Sequence, residues 1–282
     1  HHGRNRHRGV PDHSHDCNLI LLLAQQCLGR RSSGRLPLSG TCMNGKPWSA
    51  WIGFDPREAA AYAVARQSAS RVSNPIPIKG VVLSDLQKRG LYTRSTEVRL
   101  GKLWDVVSGA HMSTEFAISR FFVPMLAGKG WAAFFDCDVI VKERLARLFE
   151  NLEDQYAVYC VKHDYTPAGD SKMDGQEQTA YPRKNWSSVM VFNCDHPSNK
   201  NLTLDVLNGW PGRRLHGFEW LRDEEIGELD ASWNWLVGEQ PEPEGGAKIV
   251  HMTLGGPWIN SPPFQNVPYA AEWRDYLERW AA

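Results

Sequence analysis

Short apolar runs alternate along the chain with longer stretches in which apolar residues recur at helical spacing. The runs predict strands at residues 49–54, 76–83, 131–135, 156–161, 187–192 and 248–251. The other stretches predict helices at residues 59–69, 113–122, 143–149, 202–208, 219–227 and 272–280. Because strands and helices alternate, the pattern favours an α/β fold built on a mostly parallel sheet.

The best-marked helix start follows the first predicted strand. Asp55 is a favourable N-cap, Pro56 suits the first helical position, and Glu58 completes a capping box. Residues 162–186 form a long polar stretch rich in Gly, Pro, Lys and Asp. Long loops in compact domains are more often functional than idle, so this stretch is a candidate functional loop.

The charge balance narrows the classes of partner. The 282 residues include 32 Lys and Arg against 32 Asp and Glu, so no electrostatic feature favours a nucleic acid. No apolar run approaches the roughly 18–20 residues that span a bilayer, so no transmembrane segment is predicted. The 12 Trp suit a buried core and a carbohydrate-stacking surface equally well.

The cysteines favour a reducing compartment. None of the 6 has Cys-x-x-Cys spacing, which leaves zinc ribbons and thioredoxin-type sites unsupported. Cys160 and Cys194 lie in apolar runs and are interpreted as small buried hydrophobic residues. We therefore expect a cytoplasmic protein.

The amino-terminal residues differ from the rest. Residues 1–42 hold five of the 10 His, and the first Met is Met43. We interpret 1–42 as a disordered or non-native extension. Residues 43–282 are expected to form a single domain.

The candidate chemistry begins at Asp136-Cys137-Asp138, directly after a predicted buried strand. Side chains at i and i+2 on extended backbone point the same way, and charges at the exit of a buried strand are costly unless they bind something. Two parallel carboxylates make a hard oxygen site for Mg²⁺ or Mn²⁺. The alternative is a pair of surface aspartates that cap the helix predicted at 143–149.

His251 is a second candidate. It ends the last predicted strand and precedes a loop containing Gly255 and Gly256, which is flexible enough to fold over phosphates. The alternative is a structural histidine held by hydrogen bonds.

Two enzyme classes use acidic residues at such a strand end. In one, a metal holds a nucleoside diphosphate as it leaves a sugar. In the other, phosphatases of the haloacid dehalogenase type, Asp136 would attack phosphate and Asp138 would act as the acid. Asp170 and Asp174 match a later motif of that superfamily but lie too far from a strand, so the transferase is favoured. A Trp-rich carbohydrate-binding domain is the non-enzymatic alternative.

Several stretches, in order, carry a resemblance to a known family. They are residues 113–124, Gly130-Trp131, Phe135-Asp136-Cys137-Asp138, residues 184–193, residues 223–227, Trp233-Asn234, and His251 with Gly255-Gly256-Pro257-Trp258. Over about residues 48–260 the chain resembles nucleotide-sugar glycosyltransferases with a GT-A fold. It is most similar to the glycogenin-like and lipopolysaccharide galactosyltransferase group and to related bacterial or phage enzymes.

The resemblance implies a Rossmann-like mixed, mainly parallel sheet flanked by helices. It also implies a metal-dependent hexosyltransferase that moves a sugar from a nucleoside-diphosphate sugar to a saccharide or other hydroxyl acceptor, with retention of configuration. Asp136, Asp138 and His251 would bind the metal, and an imidazole beside two carboxylates suits Mn²⁺ better than Mg²⁺.

The resemblance also implies roles for the other site residues. Asp55 would contact the base or ribose, and Arg120 would reach the donor from its helix. The donor-binding set would comprise Asp55, Arg120, Lys184, Ser187, Gly255, Gly256 and Trp258. The catalytic set would comprise Asn185 in the sugar pocket and Asp223 and Glu224 at the donor sugar or the reacting face.

The chain departs from the family pattern at two positions that concern the donor. Gly256 stands where the group has a lysine that contacts the diphosphate, and Arg183, Lys184 or Lys248 are the candidates to replace it. Asp223-Glu224 stands where the group has an Asp-Gln pair, which adds negative charge near the reacting sugar. Trp186 or Trp258 is expected to form the floor of the sugar pocket.

Overall fold

The computed structural model describes residues 40–41, 45–73, 78–164 and 183–281. Most of the expected extension 1–42 lies outside these residues, as does most of the candidate loop 162–186, with Asp170 and Asp174. The single domain expected for residues 43–282 stays a prediction. Among the residues that the structure describes, none of the helices combines the length and the apolar character of a membrane span.

The strands are short, and most follow the predicted apolar runs. In chain order they are β1 (Gly40–Thr41), β2 (Pro47–Phe54), β3 (Ile78–Val82), β4 (Thr96–Arg99), β5 (Lys102–Asp105), β6 (Ala110–His111), β7 (Trp131–Phe135), β8 (Val139–Val141), β9 (Val158–Cys160), β10 (Val189–Asn193), β11 (Ile226–Glu228), β12 (Trp235–Leu236) and β13 (Ile249–His251).

The helices surround these strands. They are α1 (Ala59–Ser73), α2 (Leu83–Lys88), α3 (Phe116–Ser119), α4 (Val123–Ala127), α5 (Leu204–Gly209), α6 (Gly212–His216), α7 (Pro262–Gln265) and α8 (Ala270–Ala281). Several 3₁₀ turns lie between them, at Pro56–Glu58, Arg120–Phe122, Leu145–Phe149, Trp186–Ser188, Pro197–Asn201, Asp223–Glu225 and Ala231–Asn234.

The main sheet has the order β1-β2-β7-β10-β9-β11, with β3 also paired to β2. β3, β2 and β7 run parallel, β10 is antiparallel to β7 and β9, and β11 is parallel to β9. The predicted mixed, mainly parallel α/β fold is confirmed. β7 and β10 are buried along their whole length, which explains why apolar runs predicted them.

Two small sheets were not predicted. One joins β4, β5 and β6, and the other joins β12, β13 and β8. The strands of the first are largely exposed or half-buried, so they lack the apolar run that indicates a buried strand. β8 belongs to the second sheet and begins at Val139, the residue that follows Asp138.

The helix predicted at 219–227 is wrong. Residues Asp223–Glu225 form a 3₁₀ turn, and Ile226–Glu228 is strand β11 paired with β9. At Gly227 an added Cβ would lie 2.5 Å from the Tyr159 ring, so strand packing across the sheet fixes this segment. The helix predicted at 143–149 is likewise a 3₁₀ turn, Leu145–Phe149.

The first helix start is correct in position but differs in its capping. Asp55 caps a 3₁₀ turn, with its side chain accepting a hydrogen bond from the Arg57 amide, and α1 follows at Ala59. The predicted capping box is wrong, because the Glu58 carboxylate accepts from the Cys137 thiol at 3.2 Å. The helix predicted at 113–122 begins at Phe116, and Pro124 lies in the separate helix α4.

Candidate metal and donor site

Strand register gathers the predicted site at one edge of the main sheet. Ile52 of β2 pairs with Phe135 of β7 in parallel, so Asp55 and Asp136 both follow strand ends at the same edge. β10 runs the other way and begins with Val189 opposite Phe135. The turn that contains residues 185–188 therefore lies beside Asp136, whose amide donates to the Ser188 carbonyl at 2.9 Å.

The second small sheet brings His251 to the same place. β13 is antiparallel to β8, with His251 opposite Val139. The amide of Met252 donates to the Asp138 carbonyl at 2.9 Å and extends this pairing past the strand end. Residues more than a hundred positions apart thus become neighbours through backbone hydrogen bonds.

Asp136, Asp138 and His251 each offer a ligand atom, and these atoms lie within 4.8 Å of one another. His251 Nε2 is 3.1 Å from Asp138 Oδ1. The His251 side chain is 2% exposed and each Asp side chain is 17% exposed, so the group is shielded but reachable. Two carboxylates and one imidazole form a donor set that suits Mn²⁺, so these residues fit a divalent cation.

The negative charge of this edge contributes to a raised pKa of Glu58. Burial, followed by the charge of Asp138, raises the pKa of the Glu58 carboxyl from 4.5 to about 7, with smaller contributions from Asp55 and Asp136. Burial also raises the pKa of the Cys137 thiol between the two aspartates. The potential here disfavours further anions and favours a cation.

Arg120 is buried behind Asp136. Its guanidinium is 2.8 Å from Asp136 Oδ1 and donates to the Ser187 carbonyl at 2.8 Å. It also lies near the rings of Phe116 and Phe134. In this structure Arg120 holds a metal-ligand candidate in place, and its direct contact with a donor stays a prediction.

The turn before β10 carries the predicted sugar-pocket residues. Asn185 adopts a left-handed conformation with φ of 64°, and Lys184 is buried beside it. Among the described residues, Asn185 Nδ2 is buried with no hydrogen-bond partner. The Ser187 hydroxyl lies 2.7 Å from His216 Nδ1, so it is held by the protein. The role of Asn185 in a sugar pocket stays a prediction.

Asp55 is fully buried and its carboxylate is occupied by protein donors. It accepts hydrogen bonds from the Arg57 amide and guanidinium and from the Glu115 amide at 2.9 Å. Arg57, whose side chain is half exposed, therefore lies at this edge beside the predicted nucleotide site. The contact of Asp55 with the base or ribose stays a prediction.

The glycine loop after β13 is tightly packed. At Gly256 an added Cβ would lie 2.1 Å from the Trp258 ring and 2.7 Å from Met252 sulfur. The Trp258 ring in turn packs against Trp273 of α8, with centroids 6.0 Å apart. Gly255 has φ of 119°, a conformation that favours glycine. A lysine side chain therefore has no room at position 256 in this packing.

The predicted acidic pair lies on the surface. Asp223 is 87% exposed and paired with Arg183, and Glu224 is paired with Arg222 at 3.2 Å. Lys248, a candidate to replace the missing lysine, lies 3.5 Å from Asp230. The roles assigned to Asp223 and Glu224 stay predictions.

Two residues near the triad were not predicted to belong to the site. Glu58 is in the turn after β2, and Asn234 precedes β12 and hydrogen-bonds His251. Asn234 lies in a stretch that carries the family resemblance, and this resemblance could have pointed to a role in the site. Glu58 was interpreted as a capping residue, and only the three-dimensional contact with Cys137 reveals its position.

The chain was compared with known proteins. It is 41% identical to Protein CDI of Arabidopsis thaliana over 252 residues, which cover 86% of this chain and 92% of that protein. No protein-family model matches the chain.

Solved glycosyltransferase structures share the fold. The apo structure of the bifunctional glycosyltransferase WbbM aligns with a TM-score of 0.53 and 16% identity, covering 87% of this chain and 50% of WbbM. The apo form of GlyE from Streptococcus pneumoniae TIGR4 aligns with a TM-score of 0.51 and 15% identity, covering 86% of this chain and 63% of GlyE. The chain thus spans half of WbbM and under two thirds of GlyE, and its expected GT-A fold is confirmed.

Proposed function

The chain belongs to the family of Arabidopsis thaliana Protein CDI, and from that premise and the site geometry we propose that it is a metal-dependent glycosyltransferase. It transfers a hexose from a nucleoside-diphosphate sugar to the hydroxyl of a saccharide or another acceptor. Retention of configuration belongs to the proposal because the resemblance to the lipopolysaccharide galactosyltransferase group implies it.

The observation that carries the proposal is the convergence of Asp136, Asp138 and His251 on a sheet edge of a fold shared with glycosyltransferases. These residues would hold a divalent cation, Mn²⁺ or Mg²⁺, which would supply electrostatic stabilisation to the departing diphosphate. Arg120 orients Asp136 and neutralises part of its charge. Asn185 offers its amide to the sugar, and Arg57, half exposed, is the cation near the nucleotide.

Neither alternative function is favoured. A phosphatase that uses Asp136 as its nucleophile gains nothing from a buried imidazole beside Asp138, and its second motif lies outside the described residues. A Trp-rich binding domain needs exposed rings, yet Trp258 packs against Trp273 and the Trp186 indole donates to the His163 carbonyl at 3.0 Å.

The proposal is tested by calorimetric titration of nucleoside diphosphates into the protein with and without Mn²⁺. We expect one nucleoside diphosphate to bind in a Mn²⁺-dependent manner, and Asp138→Asn to abolish that dependence. Nuclear magnetic resonance of the sugar product then gives the anomeric configuration. Metal-independent binding, or release of phosphate from a generic ester in place of transfer, would contradict the proposal.

A further inference from the structure

Asn234 lies directly behind the metal-ligand triad and is fully buried. Its side-chain oxygen is 2.9 Å from His251 Nδ1. Its side-chain nitrogen is 3.0 Å from His163 Nε2, 2.9 Å from Ser188 Oγ and 3.4 Å from the carbonyl oxygen of Asn185. One amide therefore connects the strand that carries His251 with the turn that carries the predicted sugar-pocket residues.

The orientation of this amide follows from its partners. A backbone carbonyl can only accept, so the Asn234 nitrogen faces Asn185 and the oxygen faces His251. An accepting oxygen requires a proton on His251 Nδ1. The neutral imidazole then has its lone pair on Nε2, the atom that lies 3.1 Å from Asp138 Oδ1.

That separation suits two ligands of one cation. In an octahedral sphere with bonds of about 2.1 Å, neighbouring ligand atoms lie about 3 Å apart. Without a cation, the lone pair of His251 Nε2 and the Asp138 oxygen repel each other. A cation bound by both atoms would remove this repulsion. Asn234 thus holds the His251 ring in the tautomer and orientation that metal binding requires.

We propose that Asn234 is the positioning residue of the metal centre. It fixes the Nδ1–H tautomer of His251 and ties this ligand to the turn formed by residues 185–188. The inference rests on the proposed function, because it assigns Asn234 to the metal site of that function.

The variant Asn234→Leu removes the acceptor and leaves the His251 Nδ1–H group buried without its partner. We expect its Mn²⁺ affinity, measured by calorimetry without nucleotide, to fall about 10–100-fold. Asn234→Asp keeps an acceptor oxygen toward His251, and we expect it to retain affinity to within about threefold. A much lower Mn²⁺ affinity in Asn234→Leu than in Asn234→Asp would show that the hydrogen bond to His251, and not only the size of the side chain, supports metal binding.

Asn199 provides a matched control. It is also buried and makes three side-chain hydrogen bonds, donating to the Ala157 and Asn193 carbonyls and accepting from the Trp220 indole. Asn199→Leu is expected to lower the melting temperature as Asn234→Leu does, yet to keep the wild-type Mn²⁺ affinity. An equal loss of Mn²⁺ affinity in both variants would reduce Asn234 to a structural residue and overturn the proposal.

A measurement on the wild type does not depend on how the Asn234 variants fold. Nitrogen-15 resonances of the imidazoles in the metal-free protein, assigned by the signal lost in His251→Gln, report which ring nitrogen of His251 carries the proton before a metal binds. We expect a protonated Nδ1, and a protonated Nε2 would overturn the proposal. If the wild type binds neither Mn²⁺ nor Mg²⁺, the proposed function itself fails. If the wild type and Asn234→Leu bind Mn²⁺ equally tightly, only the proposal for Asn234 fails.

Discussion

Two buried charged clusters in this chain differ in their charge balance. Arg94 and Asp105 form an ion pair with no side-chain exposure, and Arg94 also donates to the Leu207 and Trp210 carbonyls. At the β7 edge, Arg120 pairs with Asp136, but Asp138 and Glu58 add further carboxyl groups.

This difference in charge balance distinguishes a structural ion pair from a candidate binding site. The Arg94–Asp105 pair satisfies its own charge and joins β5 to the segment around α5, so its function is structural. The β7 edge carries enough negative potential to raise the pKa of Glu58 to about 7, after the larger effect of burial. Perturbed, uncompensated charge of this kind is typical of functional sites, and it agrees with the cation proposed for this edge.

The largest expected effect comes from the site cluster. Asp138→Asn removes one carboxylate ligand, so we expect sugar transfer to fall about 10³-fold because metal stabilisation is worth several kcal/mol. The melting temperature should be unchanged or higher, since one of several clustered negative charges is lost. Turnover assays and thermal melting check both. A variant that keeps its activity would contradict the assignment of the site.

The scaffold cluster should respond in the opposite way. Asp105→Asn leaves the buried Arg94 without its charge partner, and we expect a loss of about 3 kcal/mol in unfolding free energy. Urea unfolding measures this loss. Mn²⁺ affinity should equal that of the wild type, and a weaker affinity would show that the two clusters are coupled.

A substitution in the glycine loop after β13 should affect stability through packing. Gly256→Ala places a methyl group against Trp258 and Met252, so we expect a destabilisation of about 2 kcal/mol from overpacking. Gly209→Ala is a useful comparison, because its Cβ would meet nothing within 4 Å and its φ is not positive. Equal losses in the two variants would mean that the close contacts at Gly256 contribute nothing.

The effect of the pH on stability is the smallest near neutral pH and grows as the pH is lowered. Burial, followed by the charge of Arg120, lowers the pKa of His216 from 6.5 to about 3. The unfolded chain therefore binds the proton first, and stability present above pH 6.5 is lost as the pH falls toward 3, by up to about 1.4 kcal/mol per pH unit.

His216→Asn removes this contribution. Its stability, relative to the wild type, should improve steadily as the pH is lowered, which urea unfolding at a series of pH values measures. His111→Asn, at an exposed histidine, is the control. A difference between wild type and His216→Asn that does not change with pH would contradict the lowered pKa of His216.

The sequence predicted those parts that depend on local pattern. The apolar run of β7 gave its bounds correctly, and the family resemblance implied that Asp136, Asp138 and His251 share one site. The helix predicted at 219–227 failed because pairing of β11 with β9 overrides local periodicity. Glu58 and Asn234 gained their positions from contacts across the fold, which spacing along the chain does not encode.

The most direct measurement is the anomalous scattering of Mn²⁺ in a crystal of the protein soaked with the ion and a nucleoside diphosphate. The account predicts one strong peak within about 2.2 Å of a carboxylate oxygen from Asp136, a carboxylate oxygen from Asp138 and the Nε2 atom of His251. A peak bound by other residues, or none among these three at saturating Mn²⁺, would contradict it.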